Sequence, residues 1–339
     1  MKERLQYADA LRCLAICFVI ILHVINPFVG KASLVGTPSW FFCIAQNTLN
    51  RTGVPLFFML SGYLILRSPR TGEIGAFYRH SLPRLALPLL CWNVIFALCA
   101  LLRGGTFSLS ALFAAIINNG TSYHMWYVYT LLGIYLIAPF LRRIVESCTT
   151  RQLLVLLAII LFPTTIRPFL NTVLPIYIYL FEPLMEGYLG YFLLGYLLGS
   201  AELKRVVRFA LYGGGVIGFC IGTLGNALTA SPEGVPLPFN FGYSINHYLC
   251  AAALFVLFRA AFARRPLPPR AASRLAGLSG LVFGVYWLHV PVLELLGMWI
   301  TADLSVMQLI AVETAGTAVI SLALAWAMSK IPVVRRIVM

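Results

Sequence analysis

The chain is 339 residues long, 60% of them hydrophobic and 11% charged, with a formal net charge of +14 and a mean hydropathy of +0.88. Globular chains carry about 25% charged residues and disordered ones are low in hydrophobicity, so neither class fits and the solvent this sequence suits is lipid. The positive balance would point to nucleic acid in a soluble protein; here the basic residues are read by their place between apolar segments, and no nucleic-acid partner is expected.

The expected fold is all-α, a polytopic transmembrane helix bundle. Stretches of about 20 apolar residues, ended by Pro, Gly and Arg clusters, predict ten spans, near 10–28, 40–66, 84–102, 124–142, 152–167, 186–201, 206–228, 245–262, 278–299 and 304–329. The fifth and sixth are short, which predicts tilt or partial re-entry. Twenty of the 25 Lys and Arg residues then lie on one side and Lys31, Arg103 and Arg167 on the other, with Arg12 and Arg51 in or at the edge of spans. The positive-inside rule makes the rich side cytoplasmic and puts both termini there. Loops 103–123, 168–185 and 229–244 face outward, and their Asn, Thr, Ser, Pro and aromatic residues suit sugars or headgroups as well as an ordinary interfacial loop. Gly213, Gly214, Gly215, Gly218, Gly222 and Gly225 read as close helix packing, because a phosphate loop would need a strand before it. Residues 1–339 are expected to form one integral membrane domain.

The eight cysteines show no C-x-x-C and no zinc-like pairing with His, so they read as free thiols in helices. Residues 1–9 are polar and the apolar run after them carries Arg12 and His23 without a small-residue cleavage site, so the first helix is expected to be retained. Five histidines and eleven carboxylates make no H-E-x-x-H and no paired Asp motif, and no metal is expected. No Walker A pattern is present, which disfavours ATP hydrolysis by this chain.

Ionisable groups inside a span are costly, so each is a candidate site residue with a structural role as its alternative. Arg12 and His23 are eleven residues apart, which places both on one helix face about 16 Å apart in height. They form either a functional pair, or a snorkelling cation and an interhelical hydrogen bond. The second span carries Asn47, Asn50, Arg51 and Ser61, with Pro55 and Gly62 predicting a kink and a close approach. Ser61 is a ligand contact, a nucleophile or a hydroxyl bonded to its own helix. Arg51 has no carboxylate near in sequence, and Glu182, Glu186 and Glu313 are the partners considered for it. Arg79 and Arg84, where the third span leaves the cytosolic surface, suit a phosphate-bearing ligand as well as the charge bias of inner loops. His124 and Trp126 open the fourth span, and Tyr286 and His289 lie within the ninth, before Pro291.

Taken together, these pieces resemble acyltransferase family 3, integral membrane acyltransferases that decorate polysaccharides, peptidoglycan, lipids and antibiotics. The resemblance rests on Asp9-Ala10-Leu11-Arg12 with His23 at an Arg-x10-His spacing, Val54-Pro55-Leu56-Phe57-Phe58 leading to Ser61-Gly62-Tyr63, the Arg-bearing start of the third span, His124-Met125-Trp126-Tyr127, Tyr191-Phe192-Leu193-Leu194-Gly195-Tyr196 and Tyr286-Trp287-Leu288-His289. The short single-domain form is similar to bacterial O-acetyltransferases such as those acting on enterobacterial common antigen. One departure stands out: the family's Arg-x-x-Arg is replaced here by Ser81 three residues before Arg84, with Arg79 the nearest earlier arginine.

The resemblance implies a multi-pass protein of the bacterial inner membrane that moves an acetyl group from cytosolic acetyl-CoA to a hydroxyl of an outward-facing polysaccharide or glycolipid. It implies Arg12, Arg79 and Arg84 at the CoA phosphates. His23 is then the general base, with Ser61 and His289 as further catalytic candidates and Arg51, Asn47, His124, Trp126 and Tyr286 toward the acceptor. Ser61, Arg51 or Trp126 are donors considered for the oxyanion, and direct attack and a route through an acylated His23 or Ser61 are both open. A glycolipid or small-solute transporter lined by His23, Arg51 and His289 is the alternative, followed by a non-catalytic assembly protein.

Overall fold

The computed structural model describes residues 5–102, 108–117, 120–173, 187–231, 233, 235–300 and 303–338, which are helical with no strand among them. In chain order the helices are α1 (Gln6–Val29), α2 (Pro38–Asn50), α3 (Gly53–Leu66), α4 (Ile74–Ser81), α5 (Pro83–Leu102), α6 (Leu109–Ile117), α7 (Trp126–Ser147), α8 (Thr150–Leu161), α9 (Arg167–Val173), α10 (Tyr188–Ser200), α11 (Arg205–Thr229), α12 (Ile245–Arg264), α13 (Pro269–Trp299), α14 (Val306–Ser329) and α15 (Pro332–Val338).

Among the described residues nine helical stretches are long and apolar enough to cross a bilayer, and α10 is a shorter apolar helix. The ten predicted segments are all present in order, so the protein is an all-α polytopic bundle. Two differ from expectation. The fifth is not short: Thr150–Val173 runs 24 residues, because the helix continues beyond 167, with Pro168 in the first turn of α9, after a π-helical turn at Phe162–Ile166. The second bends at Arg51–Thr52, ahead of Pro55, which sits in the first turn of α3, where a missing N–H leaves no bond unmade.

Helix α1 lies at the centre, packed against α2, α3, α12, α13 and α14. The indole of Trp40, itself buried, donates to the Val29 carbonyl at 3.1 Å and pins α2 to the end of α1. Helices α3 and α10 meet backbone to backbone: a Cβ on Gly62 would stand 1.8 Å from the Phe192 carbonyl oxygen, and one on Gly195 2.0 Å from that of Met59. On α11 the glycines read as packing residues do pack, Gly218 against Asn246 and Gly222 against Thr48, whereas Gly213 has open space. All eight cysteines are free thiols.

Candidate active site

Three elements bring three imidazoles together. Helix α1 carries His23, the 3-10 turn Tyr123–Met125 ahead of α7 carries His124, and α13 carries His289. Ring centroids of His23 and His289 are 5.1 Å apart, and those of His124 and His289 5.2 Å. The His124 turn is held from α5: Gly120 adopts the left-handed region at φ 99°, and the next residue, Thr121, donates its N–H to Asn93 Oδ1 at 2.9 Å and its hydroxyl to the Asn93 carbonyl at 3.1 Å. The place of α13 is fixed by Trp287, fully buried and stacked on Trp92.

Hydrogen bonds define the chemistry of these rings. His289 Nδ1 is 2.6 Å from the Tyr286 carbonyl, which can only accept, so Nδ1 carries the proton and Nε2 holds a lone pair. That Nε2 is buried without a partner among the described residues, as is Nε2 of His124. Two buried imidazole nitrogens without a hydrogen bond among the described residues are costly in a purely structural role. The Tyr286 hydroxyl donates to the His124 carbonyl at 2.7 Å, tying the turn to α13. His23 Nδ1 lies 3.4 Å from the hydroxyl of Tyr123, whose phenol is also within electrostatic reach of Glu294.

Tyrosines of α7 extend this cluster toward Arg12. Tyr127 touches Tyr286 at 5.4 Å between ring centroids, and Arg12 acts electrostatically on both Tyr127 and Tyr135. His23 meets Tyr123 in the turn ahead of α7, and Arg12 lies within electrostatic range of the two α7 tyrosines. Arg12 pairs with Asp9 at 3.2 Å, and the Asp9 side chain is only 3% exposed. Ser61 stands beside the Tyr135 phenol, on which Arg12 also acts.

Arg51, at the bend between α2 and α3, donates its Nε–H to Asn47 Oδ1 at 3.0 Å and is within electrostatic range of His23, His247 and Tyr188. Of the carboxylates considered for it, Glu313 lies beside Gly297 on the α13–α14 side, and Glu182 and Glu186 are outside the described residues. Trp126 packs on Tyr188 at 5.0 Å. Arg79 and Arg84 are exposed, and no described hydrogen bond or ion pair links either to Arg12. No group of His, Cys, Asp and Glu able to hold a metal occurs among the described residues.

His23, His124, Tyr286 and His289 thus share one site, Arg51 and Asn47 form its flank, and Arg12 and Ser61 stand at its other end. Asn93, Tyr123, Tyr135 and His247 are not singled out by the sequence, and Asp9 and Tyr127 enter there only as members of motifs, without a role. The Asp9 to Arg12 interval, one helical turn, was the only local signal for any of them; the tyrosines look like ordinary interfacial residues, and His247 follows an Asn at a helix start.

The arrangement, polar groups on a shared line through a helix bundle, is that of an integral membrane enzyme. A family model described as an acyltransferase domain matches residues 5–330, and the chain belongs to that family, acyltransferase family 3. No curated protein and no solved structure matches it.

Proposed function

We propose that this membrane acyltransferase takes acetyl groups from cytosolic acetyl-CoA and transfers them to a hydroxyl of a polysaccharide or glycolipid on the outer side of the bacterial inner membrane. The carrying observation is the meeting of His23, His124 and His289, joined through tyrosines to an arginine on the same face of α1. The basic-rich face of the bundle is the cytoplasmic one, so Arg12, oriented by Asp9, meets the CoA phosphates together with Arg79 and Arg84. The pantetheine arm runs along the α7 tyrosines and presents the thioester to the imidazoles.

There His23 takes the proton from the acceptor hydroxyl as its oxygen attacks the thioester carbonyl. The C–S bond breaks as the ester forms, and the sulfur of CoA leaves with the proton returned from the imidazolium. His289, whose Nε2 lone pair has no partner among the described residues, accepts a hydrogen bond from a neighbouring hydroxyl of the acceptor and so orients the sugar.

The test is protein reconstituted in nanodiscs with radiolabelled acetyl-CoA and membrane glycolipid extracts. His23→Ala is expected to lower transfer at least about 100-fold while CoA still binds. Undiminished transfer in that variant overturns the assignment of the base. Movement of glycolipid across the bilayer without consumption of acetyl-CoA favours a transporter instead.

A further inference from the structure

The segment that leads into α12 carries three aromatic residues, Phe239, Phe241 and Tyr243, and its backbone is tied down from beneath. Asn226 of α11 accepts the Phe239 N–H at Oδ1, 3.1 Å away, and Asn246 of α12 donates to the Phe239 carbonyl at 3.3 Å. His247 donates from Nδ1 to the Phe241 carbonyl at 2.9 Å, Tyr191 of α10 from its hydroxyl to the Gly242 carbonyl at 2.9 Å, and Thr165 of the π turn to the Tyr243 carbonyl at 2.8 Å. Asn226, Asn246, His247, Tyr191 and Thr165 are all buried. A loop that only linked two helices would leave those carbonyls to water; here buried side chains from α10, α11, α12 and the π turn hold the aromatic rings on a fixed platform.

The platform borders a depression of about 350 Å³ that is also lined by Thr164, Thr165 and Thr172. Thr164 and Thr165 belong to the π turn, a distortion that recurs at functional sites. The three threonine hydroxyls donate to the carbonyls of Ile160, Tyr243 and Pro168, which leaves their oxygens as acceptors. Phe241 is 60% exposed and lies nearly parallel to Tyr243, at 24° and 6.4 Å between ring centroids. Aromatic plates beside hydroxyl acceptors suit a pyranose, which offers C–H groups from its faces and O–H donors from its rim. The Tyr188 ring connects the depression to the imidazole cluster: it is 6.2 Å from Tyr243 and 5.0 Å from Trp126, which follows the His124 turn. We propose that this depression is an acceptor subsite, holding a sugar residue other than the acetylated one against Phe241 and Tyr243. Because Tyr188 and Trp126 stand between it and His124, one ring does not reach both places, and the acceptor it selects is an oligosaccharide or the glycan of a glycolipid.

This inference rests on the transfer reading for calling the sugar an acceptor, and its test runs without the donor. Purified protein in phosphatidylcholine nanodiscs is titrated with chitotriose, cellotriose and maltotriose, and binding is read by calorimetry. At least one trisaccharide is expected to bind. Phe241→Ala is expected to weaken that binding about tenfold, Phe241→Trp to keep it and Thr172→Val to weaken it several-fold. Phe241 and Thr172 are both exposed, and an unchanged unfolding temperature and a monodisperse size-exclusion peak check that the variants fold. No binding of any trisaccharide by the wild type, or undiminished binding in Phe241→Ala, overturns the proposal. Loss of sugar binding when phosphatidylglycerol is added to the nanodiscs marks a lipid headgroup as the occupant and overturns it as well. Trisaccharide binding that depends on Phe241, in a protein that consumes no acetyl-CoA with any membrane extract, would sink the transfer reading and leave the sugar site standing.

Discussion

At the Arg12 end of the site the guanidinium is oriented by a carboxylate almost wholly removed from water. Asp9 therefore decides where the guanidinium points, and Asp9→Asn is expected to raise the KM for acetyl-CoA several-fold with a smaller change in kcat, the opposite of the split expected for His289→Ala. In that second variant kcat falls on the order of 100-fold or more while CoA binding, read by isothermal titration, is kept. Arg142 shows what an arginine of purely structural role looks like here: its Nη1 donates to the carbonyls of Leu66 and Ser68 at 2.8 and 2.6 Å, where α3 ends. Arg142→Ala removes that donor from both carbonyls, Ser68 keeping only the Thr71 N–H, and is expected to cost about 1–3 kcal/mol of stability, read as a lower unfolding temperature in detergent. His23 and His289 were legible in the sequence because an imidazole in an apolar run is conspicuous; Tyr127 and Tyr135 were not, because only the packing of α7 shows which way they face.

Among the elements, the α3–α10 pair leaves the least room. In lipid, helices hold together by close packing instead of water exclusion, and Gly62 and Gly195 let the two backbones touch. Gly62→Val is expected to separate them and abolish recovery of folded, monodisperse protein on size-exclusion chromatography. Gly213→Ala, with nothing within 4 Å of the added methyl, is expected to be neutral or to stabilise α11 by up to about 1 kcal/mol. The sequence marked a glycine-rich face on α11 but did not separate Gly213 from Gly218, since both sit in the same run and only the position of α12 distinguishes them. It likewise ended the fifth span at 167, ahead of Pro168, where the helix in fact continues to Val173.

For the whole molecule the count of basic residues predicts a sidedness that labelling can check. In a cysteine-free background, a cysteine at Ser231 is expected to react with a membrane-impermeant maleimide added to intact spheroplasts, and one at Ala272 only after permeabilisation; the reverse pattern would invert the bundle. The outcome bears directly on mechanism, because the Arg12 end must meet the compartment that holds CoA and the imidazole end the acceptor.

The sequence by itself determined the solvent, the helical class, the order of the apolar segments and the family, since each depends on local composition and on spacing along one chain. Only the tertiary structure decided that His23, His124 and His289 meet and that Ser61 of α3 stands beside Tyr135 of α7. Those facts follow from how helices far apart in sequence rotate and pack, and in lipid that rotation is set by where small residues let backbones meet.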